Sequence, residues 1–485
     1  MISQVPRVRF APSPTGYLHV GGLRTALYNY LFARQKGGVF VLRIEDTDRN
    51  RFVEGAVENL IDTLHWAGLS FDEGPGVGGE FGPYMQSQRL NIYNEHIDYL
   101  LREKKAYRCF CTPERLDEMR KKLEIAGGQP MYDKHCLHYT EEESAAKAAA
   151  GEKFVIRMNV PANRTVVVQD TIRGRVEFNS SVVDDQILIK TDGYPTYHLA
   201  NVVDDHLMQI THVIRGEEWL PSTPKHVLLY EAFGWEIPQF AHLPLLLNPD
   251  KSKLSKRQGD VAVEDYRSKG YLKEALVNFV SLLGWNAGDD REMYQLDELV
   301  QAFSLDRVNK AGAVFQLDKL NWLNQEHLKM KHAAELAQEL HSIIKTDYPD
   351  WEEVCQEYLE QVVPLMKERI TFLADIPKQA PYFFIAPDTF DEKARGKAWN
   401  PETRSLMEKL VAKYTATEGE PTKDVYESLL RQTAEESGAS AGKIIHAVRL
   451  AASGVAGGPG LFEMLAVIGK QETVTRIEKA ISLIE

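Results

Sequence analysis

The strongest constraint on the fold is a proline- and glycine-rich loop, residues 12–22, that lies between a short apolar segment and an amphipathic stretch. Residues 7–11 have the composition of a buried strand, and apolar side chains recur at helical spacing over residues 23–31. Residues 39–44 repeat the strand pattern. This order of strand, loop, helix and strand is typical of a doubly wound α/β sheet, so we predict a Rossmann-type domain at the N-terminus.

The α/β pattern returns later in the chain, which predicts a sheet that is split by an insertion. Beyond about residue 331 the periodicity is almost entirely helical. We therefore predict an α/β protein in which a doubly wound domain with an inserted domain is followed by an all-α C-terminal region. The predicted boundaries are residues 1–97 and 201–240 for the two halves of the Rossmann-type domain, 98–200 for the insertion, 241–330 for a connecting domain and 331–485 for the helical region.

The composition is that of a multidomain globular protein. The chain has 485 residues, 44% of them hydrophobic, and no apolar run approaches the roughly 20 residues of a membrane span. The first residues lack a secretory pattern, so a cytoplasmic location is expected. The net charge of −13 argues against a polyanionic partner, but residues 101–135 carry a local excess of basic side chains. This excess of basic side chains is equally consistent with a surface that binds nucleic acid and with a helix face that is exposed to solvent.

The loop at residues 12–22 has the features of a phosphate site. Gly16, Gly21 and Gly22 allow the backbone to approach a phosphate closely, and the following helix presents free amides and a positive dipole end. His19 adds a donor that would stabilise the charge that develops on phosphate as pyrophosphate leaves. A tight turn with a solvated histidine is the alternative for an isolated motif of this kind.

A basic loop follows an apolar run in the middle of the chain. Residues 243–247 are typical of a strand, and Lys253, Leu254, Ser255, Lys256 and Arg257 come soon after it. Two lysines at this spacing suit a triphosphate, because they neutralise the charge of departing phosphates. A basic surface loop without a ligand is the alternative explanation.

Three of the four cysteines lie in one segment, which favours a metal site over a disulfide framework. Cys109 and Cys111 form one short pair, and Cys136 and His138 form a second pair of equal spacing. Thiolates and a neutral imidazole suit tetrahedral zinc, so we predict one structural zinc ion per chain. The fourth ligand stays open, since Tyr132 or His135 competes with His138.

Together these motifs resemble the class I aminoacyl-tRNA synthetases. Residues 9–22 are similar to their His-Ile-Gly-His loop, with Gly22 in place of the second histidine, as in the glutamyl branch. Residues 253–257 are similar to their Lys-Met-Ser-Lys-Ser loop, with Leu254 and Arg257 as the departures. Residues 192–206 also resemble glutamyl and glutaminyl synthetases. By these resemblances the chain is identified as a member of the bacterial-type glutamyl-tRNA synthetase family.

The resemblance implies that ATP activates L-glutamate to glutamyl-adenylate and that the glutamyl group then passes to the 3′ end of tRNA(Glu), with Mg²⁺ accompanying ATP. It implies that His19, Lys253 and Lys256 are catalytic. The other site residues that it implies are Gly21, Gly22, Glu218 and Trp219 for ATP, and Arg9, Ala11, Ser13, Glu45, Tyr197, Asn201 and Arg215 for glutamate. Tyr194 and Asp205 are expected to be structural.

The resemblance also assigns roles to the predicted domains. It implies that residues 98–200 bind the tRNA acceptor end, that 241–330 contact the tRNA stem and that 331–485 bind the anticodon. A monomer is expected. Charging of tRNA(Gln), the anticodon contacts and a requirement for tRNA during activation stay open at this point.

Four other functions fit the sequence less well. Glutaminyl-tRNA synthetase shares the catalytic domain but has β-barrel anticodon domains, which the helical pattern after residue 331 opposes. A glutamyl transferase that modifies a tRNA nucleoside, or a simple nucleotidyltransferase, would lack so long a C-terminal half. A non-catalytic tRNA-binding relative is opposed by the intact His19, Lys253 and Lys256.

Overall fold

The computed structural model describes residues 5–254, 261–351 and 354–484. Its contacts divide the chain into two compact units, one made of Met1–Lys269 with Lys273–Leu317 and the other of Gly270–Leu272 with Asp318–Glu485. The strands of the described residues are β1 Arg7–Phe10, β2 Val39–Leu42, β3 Ala106–Cys109, β4 Val155–Met158, β5 Thr165–Asp170, β6 Gly174–Asn179, β7 Ile187–Ile189, β8 His212–Gly216, β9 Gln239–Leu243, β10 Leu246–Leu247 and β11 Ala313–Val314.

Helices connect these strands and make up nearly all of the second unit. In the first unit they are α1 Val20–Gln35, α2 Ala56–Trp66, α3 Leu90–Arg102, α4 Pro113–Ile125, α5 Glu141–Ala149, α6 Tyr197–Leu207, α7 Thr223–Phe233, α8 Val263–Ser268, α9 Lys273–Ser281 and α10 Leu296–Ala302. The later helices are α11 Leu317–Met330, α12 Ala333–Asp347, α13 Gln356–Met366, α14 Asp375–Gln379, α15 Glu392–Ala398, α16 Pro401–Ala416, α17 Lys423–Glu436, α18 Ala441–Ser453, α19 Leu461–Ile468 and α20 Lys470–Leu483.

Parallel strand pairs form the centre of the first unit. β1 pairs with β2 in the register Arg7↔Val39, and β8 pairs with β9 in the register His212↔Gln239. The backbone N–H of Thr211 donates to the carbonyl of Arg7, which places β8 beside β1. All four strands are parallel, so their carboxyl ends meet at one edge, where doubly wound proteins bind ligands.

Helix α1 packs on this sheet through the face that the sequence predicts. Leu23, Ala26, Leu27 and Leu31 recur at helical spacing, and none of these side chains is exposed to solvent. Removing their apolar surface from water holds the loop before α1 against the sheet edge. The predicted α/β class and the all-α character of the C-terminal region agree with the described residues.

The strands of the predicted insertion form two groups. β3, β4 and β7 make an antiparallel sheet of their own, whereas the β5–β6 hairpin joins the central strands, because β5 pairs in parallel with β9 at Asp170↔Phe240. The ladder from β6 to β8 therefore crosses the boundary predicted at residue 200, and the division into five domains stays a prediction. Within the described residues, each helix is too short or too polar to cross a membrane.

Candidate active site

A cavity of about 900 Å³ opens at the carboxyl edge of the parallel strands. Its wall combines the loop after β1, the ends of β2 and β8, and the first turns of α1 and α6. Twelve of the residues predicted for catalysis, ATP or glutamate line it: Arg9, Ala11, Ser13, His19, Gly21, Gly22, Glu45, Tyr197, Asn201, Arg215, Glu218 and Trp219. The structure does not bring Lys253 into this wall, and Lys256 lies outside the described residues.

His19 is the N-cap of α1. Its Nδ1 accepts a hydrogen bond of 2.9 Å from the backbone N–H of Gly21, so the neutral imidazole carries its proton on Nε2. A Cβ at position 21 would lie 3.2 Å from Nδ1, and one at position 22 would lie 2.7 Å from Cδ1 of the buried Leu18. A side chain at either position would require His19 or Leu18 to move, so close packing favours glycine at both positions.

The segments on both sides of the second motif are anchored near this loop. Lys253 forms a bridge with Leu247 after a turn of the chain, and the backbone N–H of Leu254 donates to the carbonyl of Leu246. On the other side, Val20 N–H donates to the carbonyl of Val261 at 2.8 Å. The chain that leaves the second motif is therefore hydrogen-bonded to the first motif.

One side of the cavity is a network of paired charges. Arg9 Nε lies 3.1 Å from Asp205 Oδ1, and Arg43 Nη1 lies 2.7 Å from the same oxygen. Arg43 Nη2 and Asn201 Nδ2 both donate to Glu45 Oε1 at 3.2 Å. Burial alone would raise the pKa of Asp205, but Arg9 and Arg43 lower it below its ordinary value. For Glu45 burial prevails and raises the pKa.

Arg215 lies on the other side, at the end of β8, and is only 5% exposed. Its nitrogens contact neutral groups: Nε donates to His242 Nε2 at 3.1 Å, Nη1 donates to the Tyr197 hydroxyl at 2.8 Å, and Nη2 donates to the Thr223 hydroxyl at 3.0 Å. Nη1 also lies 3.3 Å from Nδ1 of His226. Across the described chain no carboxylate forms an ion pair with Arg215.

Glu218 and Trp219 follow β8 at the cavity mouth. The Trp219 ring lies 4.5 Å from the Tyr197 ring, tilted by 38°, and is partly exposed. Glu218 folds back over Gly216, where an added Cβ would lie 2.2 Å from its Oε2. This arrangement offers an aromatic face and a carboxylate to a ligand that enters from solvent.

Sequence reasoning did not assign several residues that complete the site. Arg43 directly follows β2, two residues before Glu45, whereas His242 contacts Arg215 and Asp170 contacts His242. The sequence could have predicted Arg43 as a site residue, because Arg43 follows a buried strand as Glu45 does. No sequence pattern predicts Asp170 and His242 as site residues, because they come together only through the pairing of β5 and β9.

The three cysteines of the predicted metal site do come together. The ligand atoms of Cys109, Cys111 and Cys136 lie within 4.8 Å of one another. Among the competing fourth groups, the Tyr132 hydroxyl is 3.3 Å from the sulfurs of both Cys109 and Cys111. The structure does not bring His138 into this group of described ligands. Hydrogen bonds from Cys136 and Tyr132 outweigh burial and lower the pKa of Cys109 below its ordinary value.

The second unit contains a different kind of arginine site. Nη1 of Arg449 on α18 is buried and has no hydrogen-bond partner among the described residues. It faces Gly458, where an added Cβ would lie 3.0 Å from both Nη1 and the Tyr382 hydroxyl. Burial and the nearby charge of Arg369 lower the pKa of Arg449, whereas Tyr382 raises it. Among the described residues, no carboxylate forms an ion pair with Arg449 or Arg369.

Comparison with known proteins agrees with this geometry. A family model described as "tRNA synthetases class I (E and Q), catalytic domain" matches residues 5–322, and one described as "Anticodon binding domain" matches residues 332–481. The chain is therefore a member of the class I tRNA synthetases that are specific for glutamate or glutamine.

Within that class the chain belongs to the bacterial glutamate–tRNA ligases. It is 51% identical to a glutamate–tRNA ligase of Chloroherpeton thalassium and 50% identical to one of Chlorobium phaeobacteroides, over 100% of this chain and 99% of each relative. A crystal structure of a glutamate tRNA ligase from Elizabethkingia meningosepticum in complex with its amino acid is 42% identical, with a TM-score of 0.94 over 99% of this chain and 100% of that one. The predicted family, fold class and enzymatic function are confirmed.

Proposed function

We propose that the cavity binds ATP and L-glutamate side by side and that Arg215 binds a carboxylate of the amino acid. The single observation that carries this proposal is the environment of Arg215. A buried guanidinium that contacts only neutral groups is costly until an anion joins it, and arginine binds a carboxylate through two parallel hydrogen bonds. The substrate supplies that anion, so its binding completes the charge balance of the pocket.

The remaining assignments follow from position around Arg215. Glu45 would hold the ammonium group of glutamate, since it is the one residue of the proposed amino-acid pocket with a carboxylate. Arg9, Tyr197 and Asn201 would fix the orientation of the substrate, and the loop residues Ala11 and Ser13 would close the pocket beside them. The supporting observation is that these side chains and Arg215 line one cavity.

ATP would lie along the loop before α1, with Gly21 and Gly22 next to the phosphates and the Nε2 proton of His19 directed at them. Glu218 and Trp219 would bind the nucleoside portion. Lys253 and Lys256 would neutralise the departing pyrophosphate, as the anchoring of both flanking segments near the loop supports. Mg²⁺ accompanies ATP as the counter-ion of the phosphates.

The reaction needs no covalent enzyme intermediate. A carboxylate oxygen of glutamate attacks the α-phosphorus, the bond to the bridging oxygen breaks, and pyrophosphate leaves with the electron pair. A hydroxyl of the terminal ribose of tRNA then attacks the carbonyl carbon of the adenylate, the bond from that carbon to the phosphate oxygen breaks, and AMP leaves while the hydroxyl proton passes to its phosphate or to water. Positioning and electrostatic stabilisation supply the catalysis, so side chains that hold charge in place are the ones that matter.

We propose a structural zinc ion at Cys109, Cys111 and Cys136. Three thiol sulfurs within 4.8 Å fit tetrahedral coordination with one further ligand, for which His138, His135 and Tyr132 compete. In the variant Cys136→Ala, metal analysis should find less than one zinc ion per chain, and unfolding should be easier. Cys355→Ala is the matched control, because this cysteine is exposed and distant in sequence. An undiminished zinc content in Cys136→Ala would exclude the site.

The second unit would recognise the tRNA anticodon, and the predicted insertion would bind the acceptor end of the tRNA. Arg449 and Arg369 support the assignment of the second unit, because two neighbouring cations that form no ion pair among the described residues suit a phosphate or a base edge. We also propose that the enzyme acts as a monomer on tRNA(Glu). Light scattering tests the monomeric state, and charging of purified tRNA(Glu) and tRNA(Gln) tests the tRNA specificity.

The decisive experiment replaces Arg215 by alanine and measures ATP–pyrophosphate exchange with glutamate, both with and without tRNA. Exchange should fall by about a thousandfold or more, because one strong ion pair and its preorganisation are lost. The control is Arg164→Ala, which removes an exposed arginine that pairs with Glu231. Unchanged exchange in Arg215→Ala would refute the carboxylate-binding role.

A further inference from the structure

Arg215 is held by a buried pair of residues that does not line the cavity. His242 lies on β9 directly beside Arg215, since the two are register partners in the β8–β9 ladder. Its Nε2 accepts the hydrogen bond from Arg215 Nε, and its Nδ1 lies 2.6 Å from Asp170 Oδ2. Both His242 and Asp170 have side chains with no solvent exposure. The three residues therefore form a chain of two hydrogen bonds within the sheet.

Asp170 is the fixed end of this chain. Its Oδ1 accepts from the backbone N–H groups of Ile172 at 2.9 Å and Arg173 at 2.7 Å, and its Oδ2 accepts from the backbone N–H of His242 at 3.1 Å. Burial alone would raise the pKa of Asp170, but the hydrogen bonds from His242 and Arg173 lower it, so the carboxylate is ionised.

The tautomer of His242 follows from Arg215 at Nε2, which the Thr223 hydroxyl also approaches at 3.2 Å, and from Asp170 at Nδ1. Arg215 can only donate, so Nε2 must be an unprotonated acceptor, and the proton stays on Nδ1, where Asp170 accepts it. Burial also lowers the pKa of His242 more than Asp170 raises it, which agrees with a neutral ring. The carboxylate thereby fixes the imidazole, and the imidazole fixes the plane of the guanidinium.

The imidazole also separates Arg215 from Asp170. If a carboxylate stood in the place of His242, it would pair with Arg215 directly, as Asp205 pairs with Arg9. Through the ring, Asp170 orients the guanidinium while Nη1 and Nη2 keep neutral partners. We propose that Asp170 and His242 are positioning residues that keep Arg215 oriented and free of an internal carboxylate, so that it selects the carboxylate of the amino-acid substrate.

This inference rests on the proposed role of Arg215, and two substitutions test it separately. In Asp170→Asn an amide nitrogen faces His242, which favours the tautomer with a proton on Nε2 and opposes the Arg215 N–H. In His242→Asn the side-chain amide still reaches Asp170 but no longer reaches Arg215. Each change should raise the KM for glutamate about tenfold or more in tRNA charging and leave the KM for ATP within about twofold.

His242→Gln is the rescue variant. Its amide oxygen extends as far from Cβ as Nε2 does, so it restores an acceptor for Arg215, and the KM for glutamate should return to within about threefold of the unaltered enzyme. His212→Asn is the matched control, because His212 lies at the opposite end of β8, where its Nδ1 contacts the Thr211 hydroxyl at 2.8 Å. That control should change neither KM.

The outcomes separate this inference from the proposed function. If Arg215→Ala abolishes glutamate-dependent exchange while Asp170→Asn and His242→Asn keep the normal KM for glutamate, the positioning role is wrong and the role of Arg215 stands. An equal rise in both KM values together with a lower melting temperature would indicate a structural role and would also overturn it. If Asp170→Asn does not fold, the difference between His242→Asn and His242→Gln decides, and equal KM values for these two would overturn the inference.

Discussion

Arg9 and Arg215 line the same cavity in opposite electrostatic settings. Arg9 is 3% exposed and forms an ion pair with Asp205, which also pairs with Arg43. Arg215 is as deeply buried but contacts a phenol, a hydroxyl and two imidazoles. A buried cation that forms an ion pair with a carboxylate of the protein contributes to the structure of a site. A buried cation that contacts only neutral groups can bind the anion of a ligand.

The second unit contains the same contrast. Arg476 on α20 is 4% exposed, donates to Glu472 at 2.7 Å and to the carbonyls of Tyr382 and Ala452. Arg449 contributes an Nη1 that is buried without a partner in the part of the unit that the structure describes. The comparison thus separates arginines that pair with a carboxylate of the protein from arginines that do not, in regions that have different folds, and it predicts different effects for their removal.

The largest effect is expected from Asp205→Ala. The substitution leaves Arg9 and Arg43 buried with one anion fewer, which should lower the free energy of unfolding by about 3–5 kcal/mol in chemical denaturation. Glu177→Ala is the control, since Glu177 pairs with Arg175 at an exposed site and should cost less than about 1 kcal/mol. Equal losses in the two variants would remove the distinction between framework and surface pairs.

The pH dependence of that difference has a definite sign. The folded state lowers the pKa of Asp205 below its ordinary value of 3.8, because the two arginines outweigh burial. A carboxyl with a lowered pKa stabilises the fold above its unfolded pKa and loses that contribution as the pH falls through the folded value. The unaltered protein should therefore keep its advantage over Asp205→Ala at neutral pH and lose it in acid.

The sequence predicts the parts of the site that depend on local pattern. Loops at the ends of buried strands identify Arg9, Glu45 and Arg215, because strand periodicity shows where a strand ends and parallel topology brings those ends together. The helix after His19 was predictable for the same reason. These residues need only the order of strands and helices, which the hydrophobic pattern encodes.

The sequence does not predict partners that depend on register. Asp170 and His242 are 72 positions apart, and their contact requires β5 to lie beside β9, a pairing that no local period encodes. The fourth candidate ligand near the three cysteines is also not predictable from local sequence. Spacing favoured His138 over Tyr132, whereas the fold turns the Tyr132 hydroxyl toward the sulfurs. Register and loop geometry decide such contacts only after the chain has folded.

A smaller effect is expected from Tyr197→Phe. The change removes the hydroxyl that accepts from Arg215 Nη1 at 2.8 Å but keeps the ring beside Trp219. The KM for glutamate should rise about tenfold, as for the loss of one hydrogen bond to a charged group, with little change in melting temperature. Tyr194→Phe is the control, because Tyr194 does not belong to the described cavity wall. A fall in stability without a change in KM would place Tyr197 in the framework instead.

The smallest effect, and the one that extends the comparison to the second unit, is expected from Arg449→Ala. Removing a cation with an unpaired Nη1 should leave the free energy of unfolding unchanged or slightly higher, whereas Arg476→Ala should lower it, because Glu472 and two carbonyls lose their donor. The KM for tRNA should rise about three- to fivefold in Arg449→Ala, and the dependence of that KM on salt should weaken by about one phosphate contact. The KM values for ATP and glutamate should not change.

Arg431→Ala, which removes an exposed arginine paired with Glu427, is the control. An Arg449→Ala variant that unfolds more easily and charges tRNA normally would show that a buried arginine nitrogen without a partner does not indicate a ligand site in this protein.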